Sequence, residues 1–154
     1  MSPQRPLKTV QRRDLLALGL ATGAAVWVRP ALAQAPDLQA AIRAYAGDAT
    51  LRTGKVRLDV APLVENGNTV PISVTVDSPM TAADHVTGIA VFNERNPQRE
   101  VVEFQLGPRA GRAAVSTRIR LATSQQLVAV ARLSDGTCWS HSVDVVVTLA
   151  ACIE

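Results

Sequence analysis

The sequence predicts an all-β sandwich with one short helix in front of it. Three observations carry this. Apolar residues recur at every second position in a series of short runs from Lys55 onward, the period of half-buried strands. Turn-forming clusters such as Glu65-Asn66-Gly67-Asn68 and Ser134-Asp135-Gly136 separate the runs at sandwich-like spacing. No helical pattern alternates with the runs, as a parallel α/β sheet would require.

The elements follow in chain order. Asp37 to Ala46 places Leu38, Ala41, Ile42 and Tyr45 at helical spacing, and Gly47 is a stop, so a short amphipathic helix is predicted. Lys55 to Val60 is the first strand, with Val56, Leu58 and Val60 on one face. Asn66-Gly67 is a turn because this pair supplies positive φ cheaply. Val70, Ile72, Val74 and Val76 alternate along the next strand, which Asp77-Ser78-Pro79 ends. Val86 to Phe92, Val101 to Leu106, Ala113 to Leu121 and Leu127 to Leu133 continue the series. The last strand runs from Cys138 to Leu149, with Val143, Val145, Val147 and Leu149 on one face. About seven strands result.

Residues 1–33 read as an export signal. Arg5, Lys8, Arg12 and Arg13 precede an apolar run from Ala17 to Val28, and Ala31-Leu32-Ala33 is a small-x-small cleavage site. The run is about a dozen residues, short for a bilayer span. Arg12-Arg13-Asp14-Leu15-Leu16 resembles a twin-arginine signal, which predicts periplasmic export of a folded protein; the alternative is an ordinary Sec signal whose basic region contains two arginines. The 154 residues carry a net charge of +3. Residues 1–33 hold five basic residues and one acid, so the remainder has 11 basic and 12 acidic residues, a net of −1. A nucleic-acid role therefore loses its electrostatic support, and the 3% aromatic content offers no stacking platform.

The catalytic inventory is nearly empty. His85 reads as an exposed loop residue and His141 as a solvent-facing strand position. With no CxxC or HExxH spacing, these histidines and the two cysteines are not read as a zinc set. No phosphate loop is present, Ser116 and Thr117 lack a nucleophile-elbow context, and the acids are scattered. No catalytic residue, metal ligand or cofactor of its own is assigned. Cys152 stands out, in Leu149-Ala150-Ala151-Cys152-Ile153-Glu154, because termini expose their side chains. A bridge to Cys138 is disfavoured. The two lie about 46 Å apart at roughly 3.3 Å per residue along a continuous strand, whereas a disulfide needs about 5.5 Å between Cα atoms. Cys138, beside Trp139, reads as a packed or half-exposed thiol without a chemical role.

From Gly54 to Cys152 the chain resembles the SoxY family of sulfur carriers. The matching segments are Glu65-Asn66-Gly67-Asn68-Thr69-Val70-Pro71, Val76-Asp77-Ser78-Pro79-Met80, Asn96-Pro97, Ser116-Thr117-Arg118-Ile119-Arg120-Leu121-Ala122, Ser134-Asp135-Gly136 and Val145-Val146-Val147-Thr148-Leu149, leading to the cysteine. The resemblance implies an immunoglobulin-like sandwich over 34–149 that pairs with SoxZ as a heterodimer. It implies a carrier arm over 150–154 in which Cys152 holds the sulfur covalently, and a carrier that is not an enzyme. It also implies that haem-containing SoxXA joins thiosulfate to the thiol, that SoxB releases sulfate, and that in some systems SoxCD oxidises the remaining sulfur. The tip departs from the family's Gly-Gly-Cys-Gly-Gly. Alanine restricts the backbone, Ile153 is stiff, and Glu154 places negative charge near an anionic substrate. A divergent paralogue that carries another sulfur species, or that serves as a structural or chaperone-like binding partner, is the alternative reading.

Overall fold

The computed structural model describes residues 37–152. The export signal expected over 1–33 lies outside the described residues, as do Ile153 and Glu154 with their expected effect on the tip.

The helix forms where its spacing places it, as α1 (Leu38–Ala46), and buries Leu38, Ile42 and Tyr45. Gly47, at φ +64°, donates its N–H to the Arg43 carbonyl and ends it. Nine strands follow among the described residues: β1 (Leu51–Arg52), β2 (Val56–Asp59), β3 (Leu63–Val64), β4 (Val70–Val76), β5 (Val86–Asn93), β6 (Glu100–Gln105), β7 (Ala114–Ile119), β8 (Gln125–Leu133) and β9 (Cys138–Val147). The seven expected strands are β2 and β4 to β9. The two-residue β1 and β3 were not expected, since two residues show no period.

The strands form two sheets. The larger runs β1-β9-β8-β5-β6, with β3 also paired to β9, and the smaller runs β2-β4-β7. Val56, Leu58, Val70, Ile72, Val74 and Val76 of the smaller sheet face Ile89, Val91, Leu127, Ala129 and Val145 of the larger one. The alternating residues of β5 and β8, among them Ala90, Phe92, Val128 and Val130, pack with Leu38, Ile42 and Tyr45 of α1 on the outer face. The centre of the larger sheet is therefore buried on both faces, and this explains why β5 is apolar without a break from Ile89 to Phe92. The whole is the sandwich that the sequence predicts.

Two details differ from expectation. The last strand stops at Val147, and Leu149 is 60% exposed rather than on the buried face. Val146 donates to the Pro62 carbonyl and Thr148 to that of Val64, so the last ladder bonds of β9 go to the short β3. Beyond them the Leu149 carbonyl accepts the Gly67 N–H at 2.8 Å, which turns the chain out of the sheet. Gly67 itself is not among the positive-φ glycines, although Gly136 in the β8–β9 hairpin is, at φ +81°. Gly67 is required for close approach: a Cβ there would sit 2.4 Å from the Leu121 carbonyl oxygen and 2.9 Å from the Ala151 nitrogen.

Candidate functional site

Both cysteines are free, and their surroundings are opposite. Cys138 opens β9 in register with Arg132 of β8 and Leu51 of β1. It is buried among the residues that pack against α1, its Sγ 3.9 Å from the Ala46 carbonyl oxygen. Burial pushes its thiol pKa up, against a smaller opposing pull from the Arg132 charge. A thiol held protonated inside a sheet is a packing residue. Cys152, beyond the other end of β9, is exposed. Leu63, Val146 and Leu149, the exposed large apolar side chains among the described residues, lie toward that same end; Leu63 and Val146 are register partners.

The segment that carries Cys152 is tied down almost to the thiol. Three backbone hydrogen bonds join three distant segments: Gly67 donates to Leu149 at 2.8 Å, Leu121 donates to Gly67 at 2.9 Å, and Ala151 donates to Leu121 at 3.0 Å. Ala151 is buried, at 8% exposure, immediately before the exposed Cys152. The Thr148 hydroxyl adds a bond to the Glu65 carbonyl. Of the carrier arm that the resemblance implies over 150–154, the described part is anchored through Ala151, whose amide is bonded to the Leu121 carbonyl and whose side chain is buried.

The Leu121 carbonyl that anchors Ala151 is flanked by two backbone groups that a buried polar network holds. Asn96 donates through Nδ2 to the Arg120 carbonyl at 2.8 Å, and its Oδ1 accepts from the Ala122 N–H and from Gln125 Nε2. Its own N–H bonds to Asn93 Oδ1 at 2.8 Å. Asn93, Asn96 and Gln125 are the buried polar residues of the described chain, and their bonds fix the loop on both sides of Leu121. Sequence reading singled out Gly67 as a turn and Asn96 as part of Asn96-Pro97. It gave neither a place beside the thiol, since nothing in local pattern joins positions 67, 96, 121 and 151.

The histidines are placed differently from expectation. His85 is half-buried rather than exposed, because its backbone bonds on both sides of Ser134: its N–H goes to the Ser134 hydroxyl, and its carbonyl accepts the Ser134 N–H. His141 is half-buried rather than solvent-facing. Its Nδ1 accepts the Leu58 N–H at 3.1 Å, so it bridges β9 to the edge strand of the smaller sheet. Among the described residues, no three of the His, Cys, Asp and Glu side chains come together in a way that could hold a metal ion.

Comparison with known proteins places this arrangement. The model of a family described as sulfur oxidation protein SoxY matches residues 42–152. A solved structure of the sulfur carrier protein SoxY from Chlorobium limicola f thiosulfatophilum is 28% identical with a TM-score of 0.62, covering 73% of this chain and 97% of that one. A superoxide reductase (neelaredoxin) from Ignicoccus hospitalis superposes with a TM-score of 0.57 at 14% identity, covering 63% of this chain and 94% of its own. The superoxide reductase from Nanoarchaeum equitans gives 0.53 at 10% identity, covering 62% and 100%. The last two likenesses concern the fold alone. No curated protein matches the sequence.

Proposed function

The chain belongs to the SoxY family of sulfur oxidation proteins, and from that premise we propose that it carries thiosulfate-derived sulfur covalently on Cys152. A sulfur-carrier role in sulfur oxidation follows from the family and from the likeness to a solved carrier. The assignment to Cys152 rests on one observation: of the two thiols, Cys152 is exposed at the edge of the domain while Cys138 is sealed under α1.

The chemistry needs little else from this chain. Joining a thiol to the outer sulfur of thiosulfate forms one S–S bond and releases one proton and two electrons. That oxidation needs an acceptor, which a haem partner of the SoxXA kind would supply. Water then cleaves the terminal S–S bond, sulfate leaves with two protons released, and a persulfide anion stays on the cysteine. Neither step calls for a base or metal beside the carrier thiol, provided that partner active sites supply them. A covalently held substrate also needs no pocket, which suits a small exposed tip. We further assign to this reading the periplasm as location, a SoxZ-like subunit as heterodimer partner, and transient docking to SoxXA, SoxB and, where present, SoxCD.

The test is Cys152→Ser in a reconstituted system, with thiosulfate-dependent cytochrome reduction as the readout. Loss of activity is expected, with Cys138→Ser retaining it. Undiminished activity in Cys152→Ser would sink the assignment. Intact-mass analysis of protein from cells oxidising thiosulfate, handled without reductant, should show a reductant-labile thiosulfonate or persulfide on the peptide that contains Cys152.

A further inference from the structure

We propose that Gly67 and Leu121 are positioning residues for Cys152: they clamp Ala151, hold the thiol at the domain edge, and must release it for the tail to reach into a partner. The inference rests on the carrier reading above and deepens it.

The clamp is built from backbone, and three segments meet in it. Gly67 lies between the Leu121 carbonyl oxygen and the backbone at Leu149 and Ala151, at distances of 2.4, 3.1 and 2.9 Å from where a Cβ would stand. No other residue type fits that gap without moving one of the three segments. Leu121 is fully buried, and the carbonyls and amides beside it are bonded to the buried Asn96, so the acceptor for Ala151 is rigid. Ala151 fills the remaining position, with its amide bonded at 3.0 Å and its methyl out of solvent.

The consequence is a short tether. With the clamp closed, Cys152 has no free residue between itself and the domain. With it open, the chain from Leu149 to Cys152 is released and the thiol gains about 10 Å of reach, at roughly 3.3 Å for each of three residues. Little holds the closed state beyond one amide bond, one buried methyl and the Gly67 contact, so opening is a local event and does not require the sandwich to unfold. The Ala150-Ala151 pair belongs to this device. Glycine at 151 would keep the amide bond but lose the methyl and raise the entropic cost of closing.

Two readouts on the purified protein test this without any sulfur substrate. Amide hydrogen exchange measures closure at Ala151. Labelling of Cys152 by a maleimide held on a bead by a short linker, relative to a small free maleimide and assigned by peptide mapping, measures reach. In the wild type, the Ala151 amide should be protected. Gly67→Ala forces a Cβ against the Leu121 carbonyl; it should abolish that protection and raise the tethered-to-free labelling ratio on the order of tenfold. Ala151→Gly should raise the ratio in the same direction, by about tenfold at most. Cys138 should stay unlabelled in both, which separates clamp opening from general loosening. If Gly67→Ala does not fold, Ala151→Gly decides, because it introduces no clash. An Ala151 amide that exchanges at the free-peptide rate in the wild type would overturn the proposal. So would an unchanged ratio in Ala151→Gly. The two readings also fail separately. Persistent turnover in Cys152→Ser removes the carrier role and leaves these results standing, whereas an absent clamp leaves the carrier role untouched.

Discussion

Tyr45 shows how one residue in this fold couples burial to pH. Its ring lies edge-on to Phe92, with centroids 5.8 Å apart, and the Arg132 guanidinium sits 4.3 Å from its centroid. Its hydroxyl is tucked against β5, where a Cβ on Gly88 would stand 2.8 Å away. Burial pushes the phenol up to about 12, and the opposing Arg132 charge only partly offsets it. In the unfolded chain the same group titrates near its ordinary value of about 10. The folded state thus keeps a proton that the unfolded state has released, and stability must fall as pH rises between these two values. Below about pH 10 the contribution is fully present. We expect urea midpoints to decline from about pH 10 toward pH 12 in the wild type and to decline less in Tyr45→Phe. Equal slopes in the two proteins would show that the phenol is not the group responsible.

At the scale of elements, side chains rather than backbone ladders tie several pieces together. His141 of β9 accepts the outward N–H of Leu58 on edge strand β2, which gives that edge a partner from the opposite sheet. Asn96 plays the larger part. It sits in the β5–β6 connection and joins Asn93, Arg120, Ala122 and Gln125 by four hydrogen bonds while 8% exposed. Removing its side chain strands the Arg120 carbonyl and the Ala122 amide. Asn96→Ala is therefore expected to cost roughly 2–4 kcal/mol in denaturant unfolding, above the usual range for a surface loop substitution. It should also weaken protection of the Ala151 amide, since the Leu121 carbonyl loses its support on either side. A loss under about 0.5 kcal/mol would mean that water replaces the amide without penalty.

At the scale of the whole molecule, β9 separates the two thiols. A ten-residue strand runs from the buried Cys138 to Val147, with Cys152 beyond. An intramolecular bridge would require that strand to be dismantled, because its two ends cannot approach within disulfide range. Under oxidising conditions we expect the exposed thiol to pair between chains instead. Purified without reductant, the protein should give a dimer band on non-reducing gels that Cys152→Ser abolishes and Cys138→Ser leaves. The opposite result would reverse the assignment of the two cysteines.

What the sequence determined by itself is what local period and chain geometry encode. The seven longer strands, the helix from Leu38 to Ala46 and the Ser134-Gly136 hairpin all follow from patterns a few residues wide, and burial follows the pattern in the helix and in β2, β4, β5 and β8. The separation of Cys138 from Cys152 also follows, because strand rise converts residue count to distance. Tertiary structure alone decided what depends on remote segments meeting. It set Leu149 in solvent, made β1 and β3 strands through their pairing with β9, and gave His141 an amide partner 83 residues away. It also turned Gly67 from a flexible turn into a point of contact between Leu121 and Ala151. The physical reason is the same in each case. A backbone amide has the same chemistry at every position, so the partner it finds depends on which segments the packed sheets bring within about 3 Å.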